Sequence, residues 1–315
     1  MPSVSRSVNA AYDHMVRILF TPFDLGKWFI LGFCAFVAQL GGGIGGLGNI
    51  PTHPGSSSSA EPFSEGFSWV QQHLVLVIVL AVLVVLLLSA IGLVLAWLAA
   101  RGEFMLLDGI VQNRGEIAEP WKRFRVPANR LLWYRIGVTV VFLCFLLVLV
   151  AIGTGISLPL IRQGATEELW KPILLLALPL MLGILAFSLY LMVLVDFGVP
   201  LMYLAARDQV DLGPHQAMVR FRTELLPGNG GAIVLFYLAK LGLAIAAGVM
   251  IVFAGCLTCC IGFLPYLSSV LTLPVTVFFR CYALDLLAQI DPKWDVFLEP
   301  SQPDAAQAGG GDQEP

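Results

Sequence analysis

The sequence predicts an all-α polytopic membrane bundle of about six transmembrane helices with cytoplasmic interfacial helices. Three observations carry this. First, the 315 residues are 58% hydrophobic and only 12% charged, with a mean hydropathy of +0.84; a soluble domain carries about 25% charge. Second, six apolar stretches approach or exceed the ~20 residues needed to cross the hydrocarbon core. Third, the basic residues gather in alternate connections, as the positive-inside rule requires. The net charge of -3 says little by itself, because charge is sorted by loop; a strongly basic surface is absent, so no nucleic-acid partner is expected.

Residues 1–26 form the first segment. Val4, Val8, Ala11, Met15 and Ile18 recur at helical spacing, with Arg6, Asn9, Asp13 and Arg17 opposite. Such a helix rests in the cytoplasmic interface or packs on the bundle. The opening carries no signal-peptide core, so the first span would act as the targeting signal.

The membrane domain, residues 27–290, holds the six spans. They run from Trp28 to Leu47, Leu74 to Ala99, Ile136 to Leu160, Ile173 to Leu204, Ala232 to Ala254 and Tyr266 to Leu287. The first dissolves into a glycine run from Gly41 to Gly48. The fourth exceeds a bilayer and should tilt, kink at Pro179 or Pro200, or project into the cytoplasm. Span five offers small-residue contacts, Gly242 with Ala246 and Ala244 with Gly248. Residues Pro51 to Ser64, with Ser56 to Ser59, read as a flexible external loop. Residues 291–315 form a cytoplasmic tail, polar and largely disordered from Ser301.

Orientation follows from the loops. The N-terminal segment holds Arg6, Arg17 and Lys27. The loop after span two holds Arg101, Arg114, Lys122, Arg123, Arg125, Arg130 and Arg135. The loop after span four holds Arg207, Arg220 and Arg222, and Arg280 and Lys293 lie at or beyond the end of span six. Of the 18 basic residues, only Arg162 and Lys171 fall on the opposite side, and Lys240 lies inside span five. Both termini are therefore expected in the cytoplasm.

Two cytoplasmic loops share a signature. One reads Trp121-Lys122-Arg123-Phe124-Arg125 and the other Met218-Val219-Arg220-Phe221-Arg222, each shortly after a proline, Pro120 or Pro214. They mark parallel repeats or two chance basic-aromatic helices. Either way Trp121, Arg123, Phe124, Arg125, Arg220, Phe221 and Arg222 are candidate contacts to lipid headgroups.

Catalytic motifs are scarce. Gly43, Gly45 and Gly48 match a dinucleotide fingerprint but follow a membrane span rather than a strand. Asp196-Phe197-Gly198 spells the kinase metal triplet without its partner motifs. His14, His53, His73 and His215 form no paired motif. Cys34, Cys144 and Cys281 stand alone in apolar runs as small hydrophobes. Cys256, Cys259 and Cys260 sit in an external turn and read as small residues in a close hairpin, a disulfide or part of a metal site. No catalytic residue, cofactor or metal is predicted.

Charge inside a bilayer is costly, so it must be paired or face water. Asp196, Lys240, Arg280 and Asp285 form the candidate intramembrane polar cluster, with Asp108 just beyond span two. Asp196 and Lys240 lie at similar depth, about 12 Å from the cytoplasmic ends at 1.5 Å per residue. They form a structural ion pair or line a cytoplasm-facing cavity that Pro200 and Pro274 help open.

Several runs resemble a prokaryotic family of multi-pass membrane proteins of unknown function. They are Thr21 to Trp28, Asp196 to Tyr203, and Cys256 through Leu273-Pro274 to Phe279-Arg280-Cys281-Tyr282. That family is similar to the membrane domain that precedes some glycerophosphodiester phosphodiesterases. The resemblance implies a helical fold in a prokaryotic plasma membrane. It carries no reaction, because the soluble sequence here is too short for a barrel of about 250 residues. The function expected is a non-enzymatic module that binds membrane lipids or organises a protein partner or a second copy of itself. A transporter using the Asp196 and Lys240 cavity is the alternative, and an intramembrane enzyme using Asp196 with Asp108 or Asp285 comes third.

Overall fold

Apolar surface decides where this chain folds on itself and where it faces outward. The computed structural model describes residues 4–21, 23–40, 73–162, 170–257 and 265–297. Every regular element among them is helical. Five helices are long and apolar enough to cross a membrane.

The amphipathic opening is α1 (Val4–Phe20). Its apolar stripe packs on the last long helix, α11 (Leu273–Ile290). Ala11, Ile18 and Leu19 are buried, while Arg6, Asn9, Asp13 and Arg17 face out. Of the two expectations for this segment, docking on the bundle is the one observed. A helix end leaves carbonyls without partners. Here α2 (Leu25–Gln39) supplies them: Trp28 Nε1 donates to the Leu19 carbonyl at 2.8 Å, and Lys27 Nζ donates to that of Ile18. Asp24 caps α2 through the Gly26 amide at 2.8 Å. The Thr21 to Trp28 run is thus an elbow between two helices.

The expected first span appears as α2, only 15 residues long, or about 22 Å. The glycine run and serine loop beyond it lie outside the described residues. The expected second span is longer than predicted: α3 (Leu74–Val111) continues a dozen residues past Ala99. After the short α4 (Ala118–Arg123) come α5 (Arg125–Arg162) and α6 (Trp170–Val193). A π-helical turn, Leu194–Gly198, joins α6 to α7 (Val199–Arg207). Pro179 sits inside an unbroken helix, so the irregularity falls at Pro200, one of the two expected places. Next come α8 (Pro214–Arg220), a second π-helical turn (Phe221–Leu225), and α9 (Gly230–Leu257). The sixth span is divided: α10 (Pro265–Leu271) stops at Thr272 and α11 starts with Pro274 in its first turn.

The buried core lies at the end of these helices that carries the two Arg-Phe-Arg loops, the inner end by the expected topology. Residues 99–110 of α3 are all buried, as are Phe124, Leu131, Phe197, Tyr203, Phe221, Phe236 and Tyr282. The outer halves differ. Residues 74–94 of α3 are almost all exposed, and so are Val249, Met250, Val252 and Phe253 of α9. Lipid tails are as apolar as these side chains, so no hydrophobic force draws the outer halves together. Among the described residues α5 and α6 do pair there, with Phe142 and Phe187 stacked at 4.2 Å. The small-residue contacts expected in span five are not made. Gly242, Ala244 and Ala246 are exposed, and a Cβ built at Gly242 or Gly248 would meet nothing within 4 Å.

Candidate functional site

A layer of charged side chains crosses the inner core, about 12–16 Å from the inner helix ends at 1.5 Å per residue. Lys240 of α9 donates to Asp196 Oδ2 at 2.5 Å. Asp196 is buried and Lys240 half-buried, and the rings of Phe236, Tyr237 and Phe279 surround the ammonium. The Tyr237 hydroxyl lies near the Asp196 carboxylate. The expected pairing of Asp196 with Lys240 is therefore present.

Arg280 joins the same layer by a route set by Pro200. Proline has no amide hydrogen to donate. Within the π-helical turn the Val199 amide reaches Leu194, so the next donor in that pattern would be residue 200. The Val195 carbonyl is left over and accepts instead from Arg280 Nη1 at 3.0 Å. Arg280 Nη2 also donates to Glu103 Oε2, and Arg135 Nη2 reaches Glu103 Oε1 at 3.3 Å. Glu103 thus holds two cations while 6% exposed.

Glu103 and Arg135 were not among the expected site residues. Arg135 counts among the cations of the loop after span two, and Glu103 lies past the expected end of that span at Ala99, since a charge normally ends an apolar stretch. The missed signal is an acid-phenylalanine doublet, Glu103-Phe104 and Asp196-Phe197, in the helices preceding the two Arg-Phe-Arg loops. Each acid pairs with a cation on the helix that follows its loop, Arg135 or Lys240. Each loop phenylalanine packs on the doublet's ring: Phe124 on Phe104 at 5.8 Å and Phe221 on Phe197 at 5.0 Å. The same two contacts thus recur in both units.

This corrects two candidate headgroup contacts. Phe124 and Phe221 are buried, 2% and 7% exposed, and anchor their loops in the core. The flanking Arg123, Arg125 and Arg222 point outward; Arg220 and Trp121 are half-buried. Trp121 and Trp97 bracket the Arg101 guanidinium, at 4.5 and 4.3 Å from its carbon. A planar guanidinium is well suited to stacking on aromatic faces.

Asp285 does not belong to the Asp196, Lys240 and Arg280 cluster. It lies beyond Arg280 on α11 and faces His14 of α1 at 3.7 Å. The His14 ring stacks on Phe297 at 4.2 Å. Burial pulls the His14 pKa below its usual value, against the pull of nearby Asp295. Asp108, fully buried, is held by Tyr203, Gln112 and Arg114 at 3.0, 2.9 and 3.3 Å. Arg114 also bonds Glu119 at 2.7 Å and holds that carboxyl below its ordinary range.

Crevices on the described surface include the following three. One, about 670 Å³, lies between α5 and α6; a second, about 460 Å³, lies below it beside α8. The third, about 430 Å³ and more polar, is formed by the α1–α2 elbow and the end of α3, with Asp24, Lys27 and Arg114. Neither Asp196 nor Lys240 lines any of them. The side chains of Cys256, Cys259 and Cys260 lie outside the described residues.

No curated protein and no solved structure matches the chain significantly. Residues 3–267 match one family, a span that covers the elbow, both Arg-Phe-Arg loops and the charged layer apart from Arg280. The chain belongs to that family of unknown function, DUF7544.

Proposed function

We propose that this protein is a non-enzymatic, lipid-binding module of a prokaryotic plasma membrane, with both termini in the cytoplasm. One observation carries the reading. The charges of the layer, Glu103, Arg135, Arg280, Asp196 and Lys240, are used up in internal pairs, whereas the outward Arg123, Arg125 and Arg222 have no carboxylate within ion-pair distance among the described residues. Unpaired cations at this depth suit phosphate groups of the inner leaflet, each contributing about 1 kcal/mol. The competing transport reading needs a path to Asp196 and Lys240. That pair is enclosed by Phe236, Tyr237 and Phe279, which favours the lipid reading.

Extraction of the full chain in native lipid discs, followed by mass spectrometry, tests the binding. Anionic phospholipid should be enriched over the bulk membrane, and replacing Arg123, Arg125 and Arg222 together with glutamine should reduce that enrichment by about a hundredfold, given ~1 kcal/mol per cation and tenfold per ~1.4 kcal/mol. A wild-type lipid profile equal to bulk would defeat the reading.

Orientation rests on the basic loops and is tested separately. In a chain stripped of its native cysteines, Lys122→Cys should resist an impermeant maleimide in intact cells and react once the cells are opened. Ser57→Cys should react in intact cells. The reverse pattern would invert the topology.

A further inference from the structure

The crevice between α5 and α6 and the one beside α8 form a single groove, because both are lined by Tyr134, Ala186 and Tyr190. Its chemistry is ordered along its length. The outer part is apolar, walled by Val138, Val141, Phe142, Phe145 and Phe187. At the junction the Tyr134 and Tyr190 hydroxyls bond to each other. The inner part ends at His215 and Arg222. Arg222 is exposed and forms no ion pair among the described residues; neighbouring Glu224 is engaged by Lys293 at 3.4 Å.

An amphiphile with the matching order has a hydrocarbon tail, an ester region and a phosphate. We infer that this groove seats one acyl chain of an anionic glycerophospholipid, with its esters at the tyrosine pair and its phosphate at Arg222 and His215. The inference rests on the lipid-binding reading above and gives it a specific site. A transmembrane helix from a second copy would fill the apolar part equally well. It would leave the cation at the inner end without a counter-charge, so charge complementarity selects the lipid. The volume suits a bound chain, since ligand clefts run from about 300 to 1,000 Å³.

Gly137 provides the test. It lines the apolar part, and a Cβ built there meets nothing within 4 Å. A leucine at this position would project into the groove without displacing protein atoms. The full chain is reconstituted in discs of phosphatidylcholine with a minor share of phosphatidylglycerol, then released for native mass spectrometry. The wild type should retain one phosphatidylglycerol. Gly137→Leu should lose that occupancy about tenfold, equivalent to ~1.4 kcal/mol, while its melting midpoint does not fall; Gly137→Ala should keep the lipid. Arg222→Gln, on an exposed side chain, should retain a lipid but lose the preference for phosphatidylglycerol. Full retention by Gly137→Leu, an unchanged preference in Arg222→Gln, or a retained mass equal to a second chain would each overturn the groove assignment. A wild type with no retained lipid would sink the broader reading as well.

Discussion

Replacing Glu103 with alanine is expected to destabilise the folded chain by about 3–5 kcal/mol, a large share of the ~5–15 kcal/mol typical of a domain. Glu103 is the only described carboxylate within ion-pair distance of Arg135 and Arg280. Removing it leaves both guanidinium groups near the bilayer interior without a counter-charge, where charge is most costly. Glu103→Gln should cost less, because an amide oxygen still accepts a hydrogen bond and the shape is kept. The triple variant Glu103→Leu, Arg135→Met, Arg280→Met separates burial of orphaned charge from loss of a useful pair. It should recover most of the loss, since apolar replacements of buried ion groups are often neutral. Recovery should be incomplete by about 1–3 kcal/mol, because Arg280 also satisfies the Val195 carbonyl. Unfolding midpoints in lipid-detergent micelles give each value. Wild-type stability in Glu103→Ala, or a triple variant worse than the single, would show that the layer is not held by charge pairing.

The same residue marks where sequence reading succeeded and where it stopped. Long apolar runs and sorted cations identify spans because both follow from transfer free energies that act locally. Hence the ends of α3, α5 and α9 on the outer side lie close to expectation. Asp196 and Lys240 were pairable because similar depths can be counted along two helices. Glu103 was not, since a charge at the end of an apolar run reads as a loop unless its partners are known. Arg135 lies 32 residues away, beyond the loop that follows α3, and Arg280 lies 177 residues away. Phe124 and Phe221 show a related limit. An aromatic flanked by arginines has interfacial composition, but here the ring turns inward onto Phe104 or Phe197 and the arginines alone face out. Composition assigns such a segment to the interface; only the helix's rotation decides which side chain faces lipid. Asp285 went astray for the same reason, since lying near Arg280 in sequence did not place it on the same face of α11.

A second large effect should come from the smallest side chain in the layer. Gly102→Leu is expected to detach α2 from α3 and sharply reduce the amount of folded protein. A Cβ built at Gly102 would lie 2.5 Å from the Ala38 amide nitrogen and 2.8 Å from the Val37 carbonyl carbon. These are backbone atoms of α2, so no rotamer change relieves the clash and the helices must separate. Overpacking against side chains alone costs about 1–3 kcal/mol, and a backbone neighbour has less room to yield. Separation would uncover Leu31, Cys34 and Ala35 and draw Lys27 and Trp28 away from the carbonyls that close α1. Alanine makes the sharper test because the local and tertiary terms have opposite signs. Within a helix, alanine is favoured over glycine by about 1 kcal/mol. Gly92 lies on the same helix, and a Cβ there meets nothing within 4 Å, so Gly92→Ala should stabilise slightly. Gly102→Ala should destabilise despite its better propensity. If melting in micelles shifted both variants upward, α2 and α3 would not approach closely at Gly102, and the docking of α2 beneath the charged layer would be wrong.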